Sequence, residues 1–274
     1  MPSISTNTAA NTALRYLNAN SAAQSASLAK LSSGQRIQSA KDDAAGLATS
    51  TNISADIVVM EQAAINAQQG SAVLQTADGA LSQISDILQR MKALTAQSQS
   101  GSVDDDGRAN IDAEYQQLIE EIDDIASSTN FNGSALLDGA GDFSTGVSFL
   151  LGTASTDTLT ITIDGATATD LAVDTTDVST SANAATAMTA VDTAINTIST
   201  ARANVGASLS RFEYRASVID TSLENLEASK SAISDVDLAA EQTNYTNLST
   251  LTQAAIAALG QANSMSSSLL KLLQ

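Results

Sequence analysis

The sequence predicts a mainly α fold: a long antiparallel helical rod or coiled coil formed by both chain ends, with a small central β-hairpin insert. Three observations lead there. Apolar residues recur at alternating spacings of three and four over long stretches, as in helices packed along a seam. Proline, about 5% of average usage, occurs once in 274 residues, at Pro2, so nothing interrupts long helices. Between residues 131 and 183 the helical period gives way to glycines and to β-branched residues in strict alternation.

Near the start, Leu14, Leu17, Leu28 and Leu31 lie in heptad phase, with Ser21 and Gln24 in the weaker slots between them. Val73, Ala77, Ala80, Ile84, Ile87, Met91 and Leu94 form a second seam, which Leu74, Leu81 and Leu88 widen to a two-sided stripe. Gly101–Gly107, with its acidic Val103–Asp106 centre, reads as an αα-hairpin turn between a helix ending near Gln99 and one beginning near Ala109. Ile111, Tyr115, Leu118, Ile122 and Ile125 are the seam of that next helix.

In the insert, Thr158–Ile163 alternates as a strand does, Asp164-Gly165 is a hairpin-type turn, and Thr169–Val173 is the expected partner strand, with Val147–Leu151 a third candidate. About fifty residues make a marginal core, so the insert is expected to rest on the helices. The seam Val191, Ile195, Ile198, Arg202, Val205, Leu209, Phe212, Ala216, Ile219, Leu223, Leu226, Lys230, Ile233 is broken only by Arg202 and Lys230. One helix through it would be roughly 65 Å long at 1.5 Å per residue. The last seam is Leu248, Leu251, Ala255, Ala258, Ala262, Met265, Leu269 and Leu272.

Composition removes most chemistry. The chain has no cysteine and no histidine, hence none of the usual zinc, haem or iron–sulfur ligands and no thiol nucleophile or His-based dyad. Asp104-Asp105-Asp106-Gly107 only superficially resembles a calcium loop, since Ala113 stands where the closing glutamate belongs. It reads as a solvated turn beside a helix N-terminus, and Glu120-Glu121 with Asp123-Asp124 as a solvated helix face. No catalytic, metal or cofactor-binding residue is indicated, and the chain is not read as an enzyme.

The formal net charge of −18 excludes a phosphate-neutralising surface and with it a nucleic-acid partner. The charge is unevenly placed. Residues 1–41 hold Arg15, Lys30, Arg36 and Lys41 and no acid; residues 238–274 hold Glu241 and Lys271; residues 42–237 hold 29 acids against 7 bases. The chain opens without the basic cluster and 7–15-residue apolar stretch of a secretory signal. Its longest apolar run, Ala254–Leu259, is too short to span a membrane. Unpaired seams on such an elongated helical layout call for another chain.

Two blocks of residues carry a resemblance. Leu31-Ser32-Ser33-Gly34-Gln35-Arg36-Ile37-Gln38-Ser39-Ala40-Lys41-Asp42-Asp43-Ala44-Ala45-Gly46 resembles the N-terminal signature of bacterial flagellin, as do Gln75–Leu81, Leu118–Asp124 and Thr129–Gly133. Ile233–Asp237, Gln261-Ala262-Asn263 and Leu269–Gln274 are similar to the family's C-terminal block. A flagellar hook-associated protein would share parts of both ends, but is usually longer and lacks so close a central block. The rival of another class is a soluble regulatory or chaperone-like coiled coil that never polymerises.

The resemblance implies a structural subunit that polymerises into the helical flagellar filament for swimming, is exported unfolded and is assembled at the filament tip. It implies three parts: 1–41 with 238–274 as the filament's inner tube, 42–130 with 184–237 as a helical outer tube, and 131–183 as a variable insert. Leu14, Leu17, Leu28, Leu31, Leu248, Leu251, Ala255, Ala258, Ala262, Met265, Leu269 and Leu272 become the filament-core packing residues. The implied partners are further copies of itself, other flagellins, hook-associated and cap proteins, the flagellar export apparatus and an export chaperone; the implied location is the extracellular flagellar filament. Flagellins seen by the vertebrate Toll-like receptor carry Gln-Arg-Val-Arg-Glu-Leu-Ala-Val-Gln on an outer-tube helix. The matching stretch here keeps Gln89, Arg90, Leu94 and Gln97 but has Ala93 in place of the glutamate.

Overall fold

The computed structural model describes residues 6–272. In chain order its elements are α1 (Thr8–Ser33), α2 (Ala44–Gln99), α3 (Asp105–Ser128), β1 (Asn130–Phe131), β2 (Ser134–Ala135), α4 (Asp142–Thr145), β3 (Val147–Leu150), β4 (Thr158–Ile161), α5 (Ser181–Ser234) and α6 (Leu238–Leu272). The fold is mainly α, with two small antiparallel sheets. The chain forms two compact units: one from the segment up to Ala55 with that from Asn225 onward, the other from Asp56–Glu224.

The Asp56–Glu224 unit is organised by α2 and α5, which run antiparallel. Gly70 faces Phe212, Asp78 pairs with Arg202 at 3.0 Å, and Lys92 pairs with Asp192 at 2.5 Å, so one helix rises in number as the other falls. The two-sided stripe of α2 is needed because this helix is covered on more than one side. Val73, Leu74, Ala77, Leu81, Ile84, Leu88, Met91 and Leu94 join a single core with Ile111, Tyr115, Ile119 and Ile122 of α3 and Val191, Ile198, Val205 and Phe212 of α5. Every one of the thirteen seam positions from Val191 to Ile233 is buried or half-buried. Arg202, the apparent interruption, keeps its place by carrying its guanidinium out to Asp78.

The turn before α3 is shorter than the sequence suggests. The Asp104 side chain accepts the Gly107 amide at 2.9 Å and caps the helix, so α3 starts at Asp105, four residues ahead of the expected Ala109. Asp105 and Asp106 fill its first turn, where acids oppose the helix dipole.

The insert rests on the helices, and α3 holds it by its side chains. Asp123 Oδ1 accepts the Ala168 amide at 2.7 Å, Asp112 Oδ1 accepts the Val178 amide at 2.8 Å, and Gln116 donates to the Thr176 carbonyl. The Tyr115 hydroxyl shares a 2.8 Å bond with Thr176, and burial pushes this phenol above its ordinary pKa. Asp123 is thus a structural acceptor on a face that stays exposed, as Glu120, Glu121 and Asp124 are.

One strand pairing differs from expectation. β4 pairs with β3, in the register Val147↔Ile161 to Leu150↔Thr158, and Thr169–Val173 forms no strand. The chain leaves β4 because Ile163 donates to the Phe143 carbonyl and Ala166 to the Leu137 carbonyl. Gly165 serves close approach, not a hairpin turn: a Cβ there would lie 2.6 Å from Gly139 Cα. Thr169–Val173 curls into turns, with Leu171 donating to Thr167 and Val173 to Ala168. The tight hairpin is instead β1–β2, whose turn residues Asn132 (φ 51°) and Gly133 (φ 83°) are both left-handed, as a two-residue hairpin turn requires.

Gly70 lets the buried Phe212 ring lie against α2, since a Cβ at 70 would sit 2.5 Å from its Cε1. Gly70→Ala gains about 1 kcal/mol of helix propensity but incurs an overpacking cost of about 1–3 kcal/mol. The expected outcome is a Tm lowered by roughly 2–4 °C, partly recovered in Gly70→Ala/Phe212→Leu. A single variant melting at or above the wild-type temperature, followed by circular dichroism, would contradict this packing.

Candidate assembly surface

In the terminal unit α1 and α6 lie side by side and antiparallel. Asn7 at the start of α1 donates to the Ala262 carbonyl at 3.1 Å, while Gly34 at its end accepts the Val236 amide at 3.0 Å. The face of α1 covered by α6 is Ala10, Ala13, Leu17, Asn20, Gln24, Ser27 and Leu31; that of α6 is Tyr245, Leu248, Thr252, Ala255, Leu259, Ala262 and Ser266. Both keep the three–four spacing, but with small and polar residues at many positions, which let the two backbones come close. Ser27 is buried, and its hydroxyl has no hydrogen-bond partner among the described residues.

The residues expected to pack the filament core divide between two stripes. Leu17, Leu31, Leu248, Ala255 and Ala262 are half-buried in the α1–α6 seam. Leu14 (44%), Leu28 (53%), Leu251 (52%) and Met265 (58%) are exposed, and Ala258 is exposed with them. The side chains of Leu269 and Leu272 lie outside the described residues. The exposed members are not strays: Leu14 and Leu28 are two heptads apart on α1, and Leu251, Ala258 and Met265 are successive heptads on α6. Between the helices a groove of about 420 Å³ is lined by Ala13, Tyr16, Asn20, Leu251, Ala254, Ala255 and Ala258. The covered members Ala10, Ala13 and Asn20 were not expected from sequence, because their small side chains give a weak apolar signal beside the leucines.

The unit is tied together where α1 turns into α2 and α5 into α6. Gly34, with φ 70°, ends α1 in the left-handed conformation that favours glycine. Arg36 then donates its amide to the Ser234 carbonyl at 2.6 Å and its guanidinium to Ile233 at 2.5 Å, and Gln35 bridges Asp235. Asp43 Oδ1 accepts the Gly46 amide at the start of α2, and Asp237 accepts those of Ala239 and Ala240 at the start of α6. Gly46 has no room for a side chain, its Cβ position lying 2.7 Å from Ile37 Cδ1. The two sequence blocks that carry the resemblance therefore meet here.

Comparisons with known proteins agree at the same residues. The model of the bacterial flagellin N-terminal helical region matches residues 4–142, and that of the C-terminal helical region matches residues 188–273. The chain belongs to the bacterial flagellin family. It is 37% identical over 247 residues to a flagellin of Halalkalibacterium halodurans, covering 89% of this chain and 90% of the relative. It is 36% identical over 275 residues to the flagellar filament 30.7 kDa core protein of Treponema maltophilum, covering 94% and 95%. The crystal structure of Bacillus cereus flagellin superposes with a TM-score of 0.50 at 35% identity, covering 56% of this chain and 88% of that one. As a flagellin, it is a subunit of the bacterial flagellar filament, a structural role.

Among the described residues no group of acids is placed to hold a metal ion, and no helix is long and apolar enough to cross a membrane. In the Asp56–Glu224 unit, Gln89, Arg90 and Gln97 are exposed, but Leu94 is in the core, 1% exposed. The stripe Leu88, Met91, Leu94 faces inward, so the candidate receptor surface loses its one apolar residue. Arg90 is already engaged by Glu114 of α3 at 2.6 Å.

The linker hydrogen bonds predict a pH effect. Asp42 is held below its ordinary carboxyl pKa by the Ser39 hydroxyl and then by the Gln38 amide; Asp235 is lowered by the hydroxyls of Ser231 and Ser234. A lowered folded-state value means this stabilisation is present above the ordinary value of 3.8 and is lost as pH falls through the lower folded value. The Gln38 and Ser39 amide shifts, followed by NMR, should therefore titrate below pH 3.8, and Asp42→Asn should remove that transition. A midpoint above the ordinary value would contradict the arrangement.

Proposed function

We propose that the α1–α6 pair is the polymerising element of this flagellin. Residues 1–41 and 238–274 would stack as the inner tube of the filament, 42–130 and 184–237 would form the outer tube, and 131–183 would face outward. The observation that carries this is the set of large apolar side chains that the pair leaves uncovered in the single chain, Leu14 and Leu28 on α1 and Leu251 and Met265 on α6. Large apolar side chains left exposed at heptad spacing mark an interaction surface, and the charge-poor ends can be brought together without stacking like charges. Repetition of one non-self-complementary contact generates a helical polymer.

On this reading the chain is exported unfolded by the flagellar export apparatus with an export chaperone. It joins other subunits at the tip outside the cell, and it meets hook-associated and cap proteins and any other flagellins there. A chain without cysteine cannot be trapped by disulfides on the way. The role is structural and not enzymatic. Leu251→Ser/Met265→Ser is expected to raise the concentration needed for filament growth by at least about tenfold (about 1.4 kcal/mol). Helix content of the monomer should stay unchanged, because both side chains are exposed. Filament growth after salt addition, followed by pelleting and electron microscopy, decides it; growth at the wild-type rate would remove this stripe from the interface.

The same reading makes Gln89, Arg90 and Gln97 a poor innate-receptor surface. The glutamate is replaced by Ala93, Leu94 is buried and Arg90 is committed to Glu114. A charged hydrogen bond missing from a desolvated contact costs about 1.5–3 kcal/mol. Toll-like receptor signalling by the monomer should therefore be weak in reporter cells, and a response as strong as that to a flagellin with the full motif would refute it.

A further inference from the structure

The Asp56–Glu224 unit carries an aromatic knob and an aromatic hole. We infer that Tyr214 of one copy seats in the cavity bounded by Phe131, Phe143 and Phe149 of a second copy of this chain, an inference that rests on the filament reading above. Tyr214 is 76% exposed, the most exposed of the large apolar side chains described. It lies with Arg211, Arg215 and Val218 on one outer face of α5, at spacings of three, four and seven. All four are exposed.

The charges around Tyr214 are the reason to expect an acidic partner. This unit contains six basic residues. Arg90, Lys92, Arg108 and Arg202 are each in an ion pair within the chain. Arg211 and Arg215, which flank the knob, form none among the described residues. Acids outnumber bases in this unit by 24 to 6, so a second copy supplies the opposite charge that the two arginines lack.

The hole is built from scarce material. The chain has four phenylalanines. Three line a cavity of about 210 Å³, and the fourth, Phe212, stands edge-on to Phe149 at 5.7 Å. An apolar cavity of about 150 Å³ accepts benzene, so this one has room for a phenol ring. At its rim stand Gln69 and Asp142, both exposed; the Asp142 carboxylate forms no ion pair among the described residues.

The two features are placed for repetition. Phe212 points inward to Phe149, which lines the hole, and Tyr214, two residues later, points about 200° away around α5. Knob and hole thus lie at one level on opposite sides of the unit. Seating the knob of one copy in the hole of the next is a heterologous contact, which propagates sideways and leaves both features free at the ends.

The test is salt-induced filament growth by the full chain, read by light scattering and electron microscopy, with melting curves of each monomer. Tyr214→Ser on the knob side, and Gln69→Trp and Asp142→Arg on the hole side, should each raise the critical concentration by roughly tenfold. Tyr214→Phe should stay close to wild type. All three positions of substitution carry exposed side chains, so the melting curves should coincide, and the two hole-side variants make the result independent of either one's folding. Wild-type growth by Tyr214→Ser overturns the inference while leaving the filament reading intact. So does impaired growth of Tyr214→Ser with both hole-side variants normal, which would seat the knob elsewhere. A wild-type chain that never polymerises overturns both.

Discussion

A helix can hide only the stripe it turns toward its neighbour, and each terminal helix here has apolar residues on two. Pairing α1 with α6 covers the smaller side chains, such as Ala10, Ala13, Ala255 and Ala262, and leaves Leu14, Leu28, Leu251 and Met265 in water. Leu17, Leu31, Leu248 and Leu259 share that seam, so each helix divides its large apolar residues between a covered and an uncovered face. Small residues at the seam bring the backbones close, and the uncovered large ones hold apolar surface that the single chain does not bury. Burial of one leucine is worth roughly 1.5–3 kcal/mol, so the choice of stripe decides whether a paired monomer or a polymer is the more stable state.

Much of this was legible because helices announce themselves by period. The thirteen-position seam from Val191 to Ile233 and the two-sided stripe of α2 follow directly from spacing, and α5 runs through both sequence interruptions. Which of two stripes faces the partner was not legible. The covered face of α1 includes Asn20 and Ser27 beside the expected Gln24, and pattern reading favours leucines over small polar residues. Leu94 carried two readings, as a seam residue by spacing and as part of a surface motif by resemblance, and it is buried with the seam. Strand pairing was the least readable, since Asp164-Gly165 and Asn132-Gly133 look alike as turn dipeptides. What separates them is tertiary: Gly139 presses against Gly165, while nothing approaches Gly133.

Acidity has two meanings in this chain. Most of its carboxylates are exposed and keep the surface strongly negative, but Asp112 and Asp123 reach across to backbone amides of a segment that has neither helix nor sheet to satisfy them. Buried backbone groups need partners, and here α3 supplies them from its side chains. The irregular stretch from Ile163 to Val178 is thereby as firmly placed as a strand would be, with Ala166, Ala168, Val173 and Val178 fully buried.

The connection between β3 and β4 has a different character. Its ends are pinned where Leu151 donates to the Asp157 carbonyl and Gly152 packs against the Asp157 side chain, while residues 153–156 are exposed and bond to Asp157 and to the Thr158 amide at the start of β4. Lengthening a flexible loop costs only about 0.6 kcal/mol for each doubling. This tip can therefore accept added residues, up to a self-folding module, while the strands and helices below keep their register.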